Sequence, residues 1–328
     1  MDLSILIVNW NAVHYLKPCL ASVYREVKGI EFEVLVVDNA SYDGSAELVK
    51  TDFPQATFIQ SDKNLGFTRG NNLLFRYAKG RNILLLNPDT EVIGDAVQKM
   101  LGYLGSLSQA GAIGCRLVDA EGAVQTTIMA FPTILNQLLD VEFLQRRFPN
   151  CSLWNLKALY EETAVPVEVD SLAGACFMIK RHVFEQVGLM SEDYLMYGDD
   201  IDLSYKVWKA GYKVFYTNQS RVIHYEGKSA ESWKRGLPEV WKRHSIHKFL
   251  SKSRGRWYGA CHKATMAFAA FVRLLLIAVM RLLPGDSRRK ERLGFAFTKW
   301  KRILQWALGS KGWAKKAGEQ IGFAAGEW

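Results

Sequence analysis

Short runs of consecutive apolar residues recur through the first 115 positions, and most of them close on a small polar cluster. Leu3–Val8 stops at Asn9-Trp10-Asn11, Glu33–Val37 at Asp38-Asn39, and Asn82–Leu86 at Asn87-Pro88-Asp89. Ala56–Gln60 is a further, less apolar run. Runs of this length with almost no polar alternation predict strands buried on both faces, as in a parallel sheet. Between them, Leu16–Val27 has helical spacing. Asp43-Gly44-Ser45 puts small polar residues where a helix opening at Ala46 needs caps, and Asn71–Lys79 reads as another helix. This βαβ rhythm predicts an α/β fold with a mainly parallel, Rossmann-like sheet between flanking helices. Ligands of such sheets bind beyond the carboxyl ends of the strands, where the polar clusters fall.

Beyond residue 125 the pattern loosens. Residues 125–168 have no clear period. Asp170–Lys180 reads as a strand broken at Gly174-Ala175, Arg181–Val187 as a short helix ended by Gly188, and Lys213–Thr217 as a strand. Between these lie five carboxylates in eleven residues, Glu192, Asp193, Asp199, Asp200 and Asp202, which open a helix over Ile201–Ala210. One reading is a solvated helix N-terminus favoured by the helix dipole. The other is a general base with helpers near a cation, able to take a proton from an attacking hydroxyl. Asp89, at a strand end, resembles the single carboxylate that a hard divalent cation takes beside phosphate oxygens. His224 suits Mn²⁺ better than Mg²⁺ as a second ligand. Asn64–Asn72 is glycine-spaced but is neither GxGxxG nor a Walker loop, so no dinucleotide fingerprint or P-loop is present.

Charge changes the picture of the C-terminus. Of 328 residues, 49 % are hydrophobic and 23 % charged, which excludes a disordered chain. Net charge is +9, but residues 241–328 hold 19 Lys and Arg against 4 Asp and Glu, leaving residues 1–240 mildly acidic. Such asymmetry points to a polyanionic partner. Within the basic part, Ala264–Leu283 is apolar except at Thr265, Arg273 and Arg281, long enough to span a bilayer. An arginine in mid-segment costs at least ~2.5–3.5 kcal/mol there. Arg273 and Arg281 lie about 80° apart on a helical wheel, with His262 and Thr265 near the same side. The segment therefore reads first as a helix lying in the interface of an anionic membrane, its arginines reaching lipid phosphates, with a true span and an ordinary buried helix as the alternatives. The basic residues accompany Leu, Ile and Phe runs, so nucleic acid is not the expected partner. Five scattered cysteines, without a CxxC pair, exclude a disulfide scaffold or zinc ribbon. The start of the chain runs into a strand without the features of a signal peptide.

Taken together, several motifs resemble the family 2 glycosyltransferases of GT-A fold, in particular their rhamnosyltransferase-like branch. They are Ile7-Val8-Asn9-Trp10-Asn11, Val37 to Ser45, Asn64 to Asn72, Leu86-Asn87-Pro88-Asp89-Thr90, Gly174 to Phe177, Tyr197 to Asp202, and His224 to Ser229. The resemblance covers residues 1–230. It implies a transferase domain over 1–235, followed by a basic helical membrane-associating region over 236–328. The donor is then a nucleoside-diphosphate sugar, a dTDP- or UDP-sugar. Trp10 stacks on its base, Asp38 accepts the ring N–H, and Val8, Asn71, Asn72 and Asn87 line the donor site. Asp89 binds a divalent cation, Mg²⁺ or Mn²⁺, with His224, and the first Asp of the DxD-type element is replaced by Asn87. Asp199-Asp200 supply the base, Asp200 ahead of Asp199. The implied reaction is a single inverting displacement onto a hydroxyl of a polyprenyl-diphosphate-linked glycan. It would take place peripherally on the cytoplasmic face of the inner membrane, with L-rhamnose as the implied sugar. A non-catalytic nucleotide-sugar-binding subunit and a membrane-surface scaffold are the alternatives. A nucleotidyltransferase lacks support, because Asn9-Trp10-Asn11 stands where its Gly-rich basic loop belongs.

Overall fold

The structure is a computed structural model and describes residues 1–139, 148, 157–194, 197–225, 237–284, 286–310 and 312. Cys151 and Glu226–Ser229, part of the cysteine set and of the last motif, lie outside the described residues, as do Leu195-Met196 and the 235/236 boundary. Two compact units emerge, one within Met1–Phe131, Asn150–Leu195 and Asp199–Glu231, the other within Pro132–Pro149, Met196–Gly198 and Ser232–Trp328.

The first unit is built on a sheet. Its parallel half comes from the apolar runs: β1 (Leu3–Asn9), β2 (Phe32–Asn39), β3 (Thr57–Ser61) and β4 (Asn82–Leu86) stand in the order β3-β2-β1-β4. Next to β4 the order continues β10 (Cys176–Lys180), β6 (Ala110–Val118), β11 (Lys213–His224) and β5 (Thr90–Val92), while β8 (Val167–Val169) also pairs with β11. β7 (Ile128–Met129) and β9 (Ser171–Leu172) form a separate pair. Helices cover both faces of the sheet. On one side α1 (Val13–Glu26), α2 (Ser45–Asp52) and α4 (Ala96–Ser106) bury Leu16, Leu20, Val49, Val97 and Met100 against Ile5, Ile7, Val36 and Leu84. On the other, α3 (Gly66–Phe75), a helix at Arg181–Gln186 and one at Asp199–Lys209 bury Leu74, Val183, Phe184, Leu203 and Val207 against Leu6, Leu35, Leu85 and Ile179. Burial of each such aliphatic side chain contributes ~1.5–3 kcal/mol before chain entropy is counted. In chain order, α5 (Ile134–Leu138) and α6 (Lys157–Tyr160) precede α7 (Arg181–Gln186) and α8 (Asp199–Lys209).

Three local expectations change. The segment Asp170–Lys180 is not one strand. β9 ends at Leu172, and after Gly174-Ala175 the chain enters β10, which runs antiparallel to β4 with Cys176 opposite Leu86. The strand from Lys213 continues to His224 through a register shift between Thr217 and Arg221. Such an irregularity re-aims the residues beyond it. The helix read as Asn71–Lys79 begins at Gly66, where the backbone N–H of Gly66 donates to Asn64 Oδ1 at 2.9 Å. Gly70 lets this helix press onto β1, because a Cβ there would meet Val8 Cγ1 at 2.8 Å.

The second unit contains α5 and three long helices, α9 (Leu237–Arg254), α10 (Arg256–Leu282) and α11 (Ser287–Ala307). Its core is Val240, Met266, Ala269, Ala270, Ile277, Trp300, Ile303 and Trp306. α11 runs antiparallel along α10: Trp306 lies beside His262, Trp300 under Arg273 and Phe297 under Arg281. α5 is held from both neighbours, with Ile134 N donating to Tyr258 Oη, Arg243 to Gln137 Oε1, and Arg273 to the Leu138 carbonyl at 3.1 Å.

Here the sequence reading of the arginines fails. The Arg273 guanidinium stacks 4.4 Å from the Trp300 ring centre and the Arg281 guanidinium 4.5 Å from that of Phe297. The wheel grouped Arg273 with His262 correctly, but that side is the packed one. Aromatic faces and backbone carbonyls give the guanidinium groups partners inside the unit. The opposite side of α10 is an apolar stripe, with Trp257, Phe268, Phe271, Leu275, Val279 and Leu282 all exposed. Among the described residues, α10 is the one helix long and apolar enough to cross a membrane.

Candidate active site

The carboxyl ends of β1 and β2 form the first part of the site. Their register sets Asn9 beside Asp38. Asp38 is fully buried, and its carboxylate accepts from Asn9 Nδ2 at 2.7 Å, the Ser41 amide at 2.9 Å and Gln60 Nε2 at 2.8 Å. The loops that leave the two strands are tied together. Asn11, in a left-handed conformation with φ 48°, donates its amide to Ser41 Oγ and accepts from the Tyr42 amide. The Asp43 carboxylate accepts from the Val13 amide and from Ser45. Burial pushes the Asp43 carboxyl up, but the Ser45 hydroxyl and these amides outweigh it and hold it below its ordinary value. Trp10, half-buried, leads out of β1 above this knot.

The helix α3 turns two expected donor-binding residues inward. Asn71 is fully buried, with Nδ2 on the Phe67 carbonyl and Oδ1 lacking a protein partner. Asn72 clamps the chain before α8: its Nδ2 donates to the Met190 carbonyl and to Glu192, and its Oδ1 accepts from the Met190 amide. Val8 packs under α3 at Gly70.

The second part lies past β4. The Asn87 amide donates to the Ala175 carbonyl at 2.9 Å, and its carbonyl accepts from Thr90 Oγ1. Two residues on, Asp89 is almost wholly buried with Oδ1 3.5 Å from His224 Nε2. β5 and β11 bring them together by pairing Thr90 with His224. On the far side of the imidazole, Nδ1 lies 2.9 Å from Gln125 Oε1, while Gln125 Nε2 donates to the His224 carbonyl. That second bond orients the amide, so Nδ1 carries the proton in the neutral ring and Nε2 turns a lone pair toward Asp89. Two lone-pair donors facing each other, with the outer ring nitrogen anchored, is the donor arrangement that suits a cation. Among the described residues no group of three or more His, Cys, Asp or Glu forms a cation site.

The third part is the start of α8. Asp199 and Asp200 sit in its first turn, and Asp200 Oδ1 accepts from the Ile201 amide. Burial, and then the charge of Asp200, push the Asp199 carboxyl up to about 7. Asp202 belongs to the scaffold: it accepts from Ser191 Oγ at 2.6 Å and Tyr194 Oη at 3.2 Å, fixing the turn before the helix. Gly174 connects this part to the second. The position of its absent Cβ lies 3.5 Å from Asp200 Cβ, and the next residue, Ala175, accepts from Asn87.

The structure thus joins Asp38 to the first two strand ends, Asp89 to His224, and Asp200 to the β4 end through Gly174-Ala175. Gln60 and Gln125 hold carboxylate and imidazole in place and were not singled out in the sequence. Gln60 stands opposite Asp38 in the β2–β3 register, a pairing that local pattern does not reveal.

Comparison with known proteins agrees with this architecture. An N-acetylglucosaminyl-diphospho-decaprenol L-rhamnosyltransferase of Mycobacterium tuberculosis is 26 % identical over 275 residues, 79 % of this chain and 87 % of the relative. The rhamnosyltransferase WbbL of Escherichia coli is 25 % identical over 170 residues, 49 % of this chain and 61 % of its own. A mannosyltransferase of Pyrobaculum calidifontis, solved with GDP-Man and Mn²⁺, superposes with a TM-score of 0.58 at 16 % identity, covering 95 % of this chain and 87 % of that one. The glycosyl transferase family 2 profile matches residues 4–188, more than half the chain, which therefore belongs to that family of glycosyltransferases.

Proposed function

We propose that the chain moves L-rhamnose from a dTDP- or UDP-linked donor to a hydroxyl of a polyprenyl-diphosphate-linked glycan, inverting the anomeric centre. The observation that carries this reading is the opposed pair Asp89 Oδ1 and His224 Nε2, 3.5 Å apart, past the β4 end that Gly174-Ala175 ties to Asp200. The names of the two rhamnosyltransferase relatives support the sugar, and that of the mycobacterial relative supports the lipid-linked acceptor.

Trp10 stacks on the base and Asp38 accepts its ring N–H. Asn87 borders the diphosphate, and Val8 and Asn71 shape the wall under α3. Asn72 acts at one remove, by holding the Met190–Glu192 turn. Asp89 and His224 would hold a divalent cation, Mg²⁺ or Mn²⁺, whose remaining positions go to water and phosphate oxygens. When bound, such a cation neutralises charge growing on the departing diphosphate. Asp200 takes the proton of the acceptor hydroxyl as its oxygen attacks the anomeric carbon from the face opposite the diphosphate. Asp199, protonated more readily than an ordinary carboxyl, limits repulsion next to Asp200.

Residues 1–235 carry this chemistry, and 236–328 hold the enzyme on the cytoplasmic face of the inner membrane. The exposed stripe of α10 enters the lipid, and the surrounding lysines and arginines attract anionic headgroups. A lengthwise span is disfavoured because α11 runs beside α10. Lys299, Lys301 and Arg302 flank Trp300, which packs under Arg273 in the middle of α10, so each would lie near mid-bilayer at ~2.5–3.5 kcal/mol. The test is calorimetry of the full chain with dTDP-rhamnose, UDP- and GDP-sugars in the presence of Mn²⁺. Tightest binding of dTDP- or UDP-rhamnose is expected. Preference for a GDP-sugar overturns the donor assignment.

A further inference from the structure

Asp38, the acceptor for the base in the reading above, is closed to solvent. Of the about four lone-pair sites of a carboxylate, three are occupied, by Asn9 Nδ2, the Ser41 amide and Gln60 Nε2. These donors differ in what it takes to remove them. Asn9 is buried and Ser41 donates through its backbone. Gln60 is an exposed side chain on β3, the edge strand of the sheet. Its Nε2 points at three oxygens, Asp38 Oδ2, the Asp38 carbonyl and the Ser61 carbonyl, so the orientation of the amide is fixed by its partners.

We propose that Gln60 is a gate on the base site: its amide N–H occupies the place on Asp38 that a nucleobase ring N–H takes, and the donor enters by exchanging one for the other. The inference rests on the reading of Asp38 as the base acceptor. Uracil and thymine carry an N–H at ring position 3 and can replace the Gln60 donor bond for bond. Cytosine has a lone pair at that position. It leaves Asp38 either capped by Gln60 or facing a second acceptor, which is disfavoured by the desolvation of an unpaired carboxylate. The gate therefore lowers the affinity of bases that carry a ring N–H, which must displace Gln60, and leaves cytosine, which does not displace it, unaffected.

Calorimetry of the full chain with UDP, dTDP and CDP, in wild type, Gln60→Met, Gln60→Ala and Asp38→Asn, tests this. Methionine keeps the length of the side chain and removes the donor, and alanine guards against an effect of bulk. With the competing bond gone, UDP and dTDP are expected to bind roughly tenfold tighter to both Gln60 variants, CDP being unchanged. Asp38→Asn is expected to weaken UDP and dTDP at least tenfold. Equal or weaker UDP and dTDP binding in the Gln60 variants, with Asp38→Asn still damaging, overturns the gate and leaves Gln60 as a pin for β3. Equal tightening of all three nucleotides overturns the exchange with a ring N–H. Unchanged UDP binding in Asp38→Asn removes the reading of Asp38 itself, and the gate with it.

Discussion

Among the described residues, the buried acidic and basic side chains of the sheet unit are three carboxyls, Asp38, Asp89 and Asp202, with Arg116, whereas those of the helical unit are the His262 imidazole and the Arg243 guanidinium. Asp38, Asp89 and Asp202 are buried at the ends of strands or in the first turn of a helix, each with a side-chain partner. His262 is buried between His247 and Trp306, and Arg243 is buried as well. The difference follows from what each unit must present outward. In the proposed mechanism the sheet unit presents acceptors beyond its strand ends to a cation and a hydroxyl. A basic helical hairpin keeps its lysines outside, and groups inside must stay neutral or lie against rings. In the helical unit His244 is held down to about 4 and His262 to about 3, by burial first. The charges facing them, Lys248, His247 and Lys263 for His244 and His247 and Arg243 for His262, push the same way.

The comparison can be broken most directly at Asp89 and His224, the proposed cation ligands. Asp89→Ala or His224→Ala is expected to remove most of the Mn²⁺-dependent gain in donor affinity, about 10–100-fold by the precedent of metal-site substitutions. The check is calorimetry with and without Mn²⁺, and a gain equal to wild type contradicts the assignment.

The next test separates the two sides of α10. Replacing Phe268, Leu275 and Val279 with Asn should abolish sedimentation with anionic vesicles and leave the melting temperature nearly unchanged, because these side chains are exposed. Arg273→Met should do the reverse. It takes a cation from Trp300 and a donor from the Leu138 carbonyl, for a loss of ~1–3 kcal/mol in the melt of the helical unit with vesicle binding retained. If Arg273→Met instead released the protein from vesicles without changing the melt, the arginine would be reaching phosphate after all.

The smallest expected effects concern pH, and the two units should respond with opposite sign. Asp199 binds its proton more tightly when folded, since its value rises from 3.8 to about 7. Its contribution is therefore fully present below about pH 4 and is lost as pH rises through 7. Asp199→Asn should raise the melting temperature by several degrees at pH 8, with the gain fading by pH 5. His262 and His244 bind protons less tightly when folded, so the stability of the helical unit should fall as pH drops below 6.5. His262→Phe should flatten that decline. Parallel pH slopes for the two effects would contradict the buried-group account.

The sheet edge was legible in the sequence because its signal is local. An apolar run that stops at Asn9, at Asp38 or at Asn87 marks both the strand and the polar cluster at its carboxyl end. Helix α3 was partly misread because the glycines at 66 and 70 suggest a loop. One in fact sits in the opening turn and the other lets the helix touch Val8, so Asn71 and Asn72 turn inward. The break at Gly174-Ala175 is legible in the sequence, but that the pieces on either side join different sheets is not, since their partners β7 and β4 are remote in sequence. Gln60 and Gln125 escaped for the same reason: their importance comes entirely from Asp38 and His224, across strands. On α10 the wheel grouped the right residues. Which side faces water depends on Phe297 and Trp300 of the following helix, and periodicity within one helix carries no information about that.

The central claim is that Asp200 takes the acceptor proton at a site whose donor binding does not depend on it. The most direct measurement compares turnover and donor affinity of Asp200→Asn with wild type in one preparation of the full chain. The account predicts donor affinity within about twofold and turnover reduced ~10²–10⁴-fold, the range of general-base removal. Turnover within a few-fold of wild type, at equal donor affinity, would contradict it.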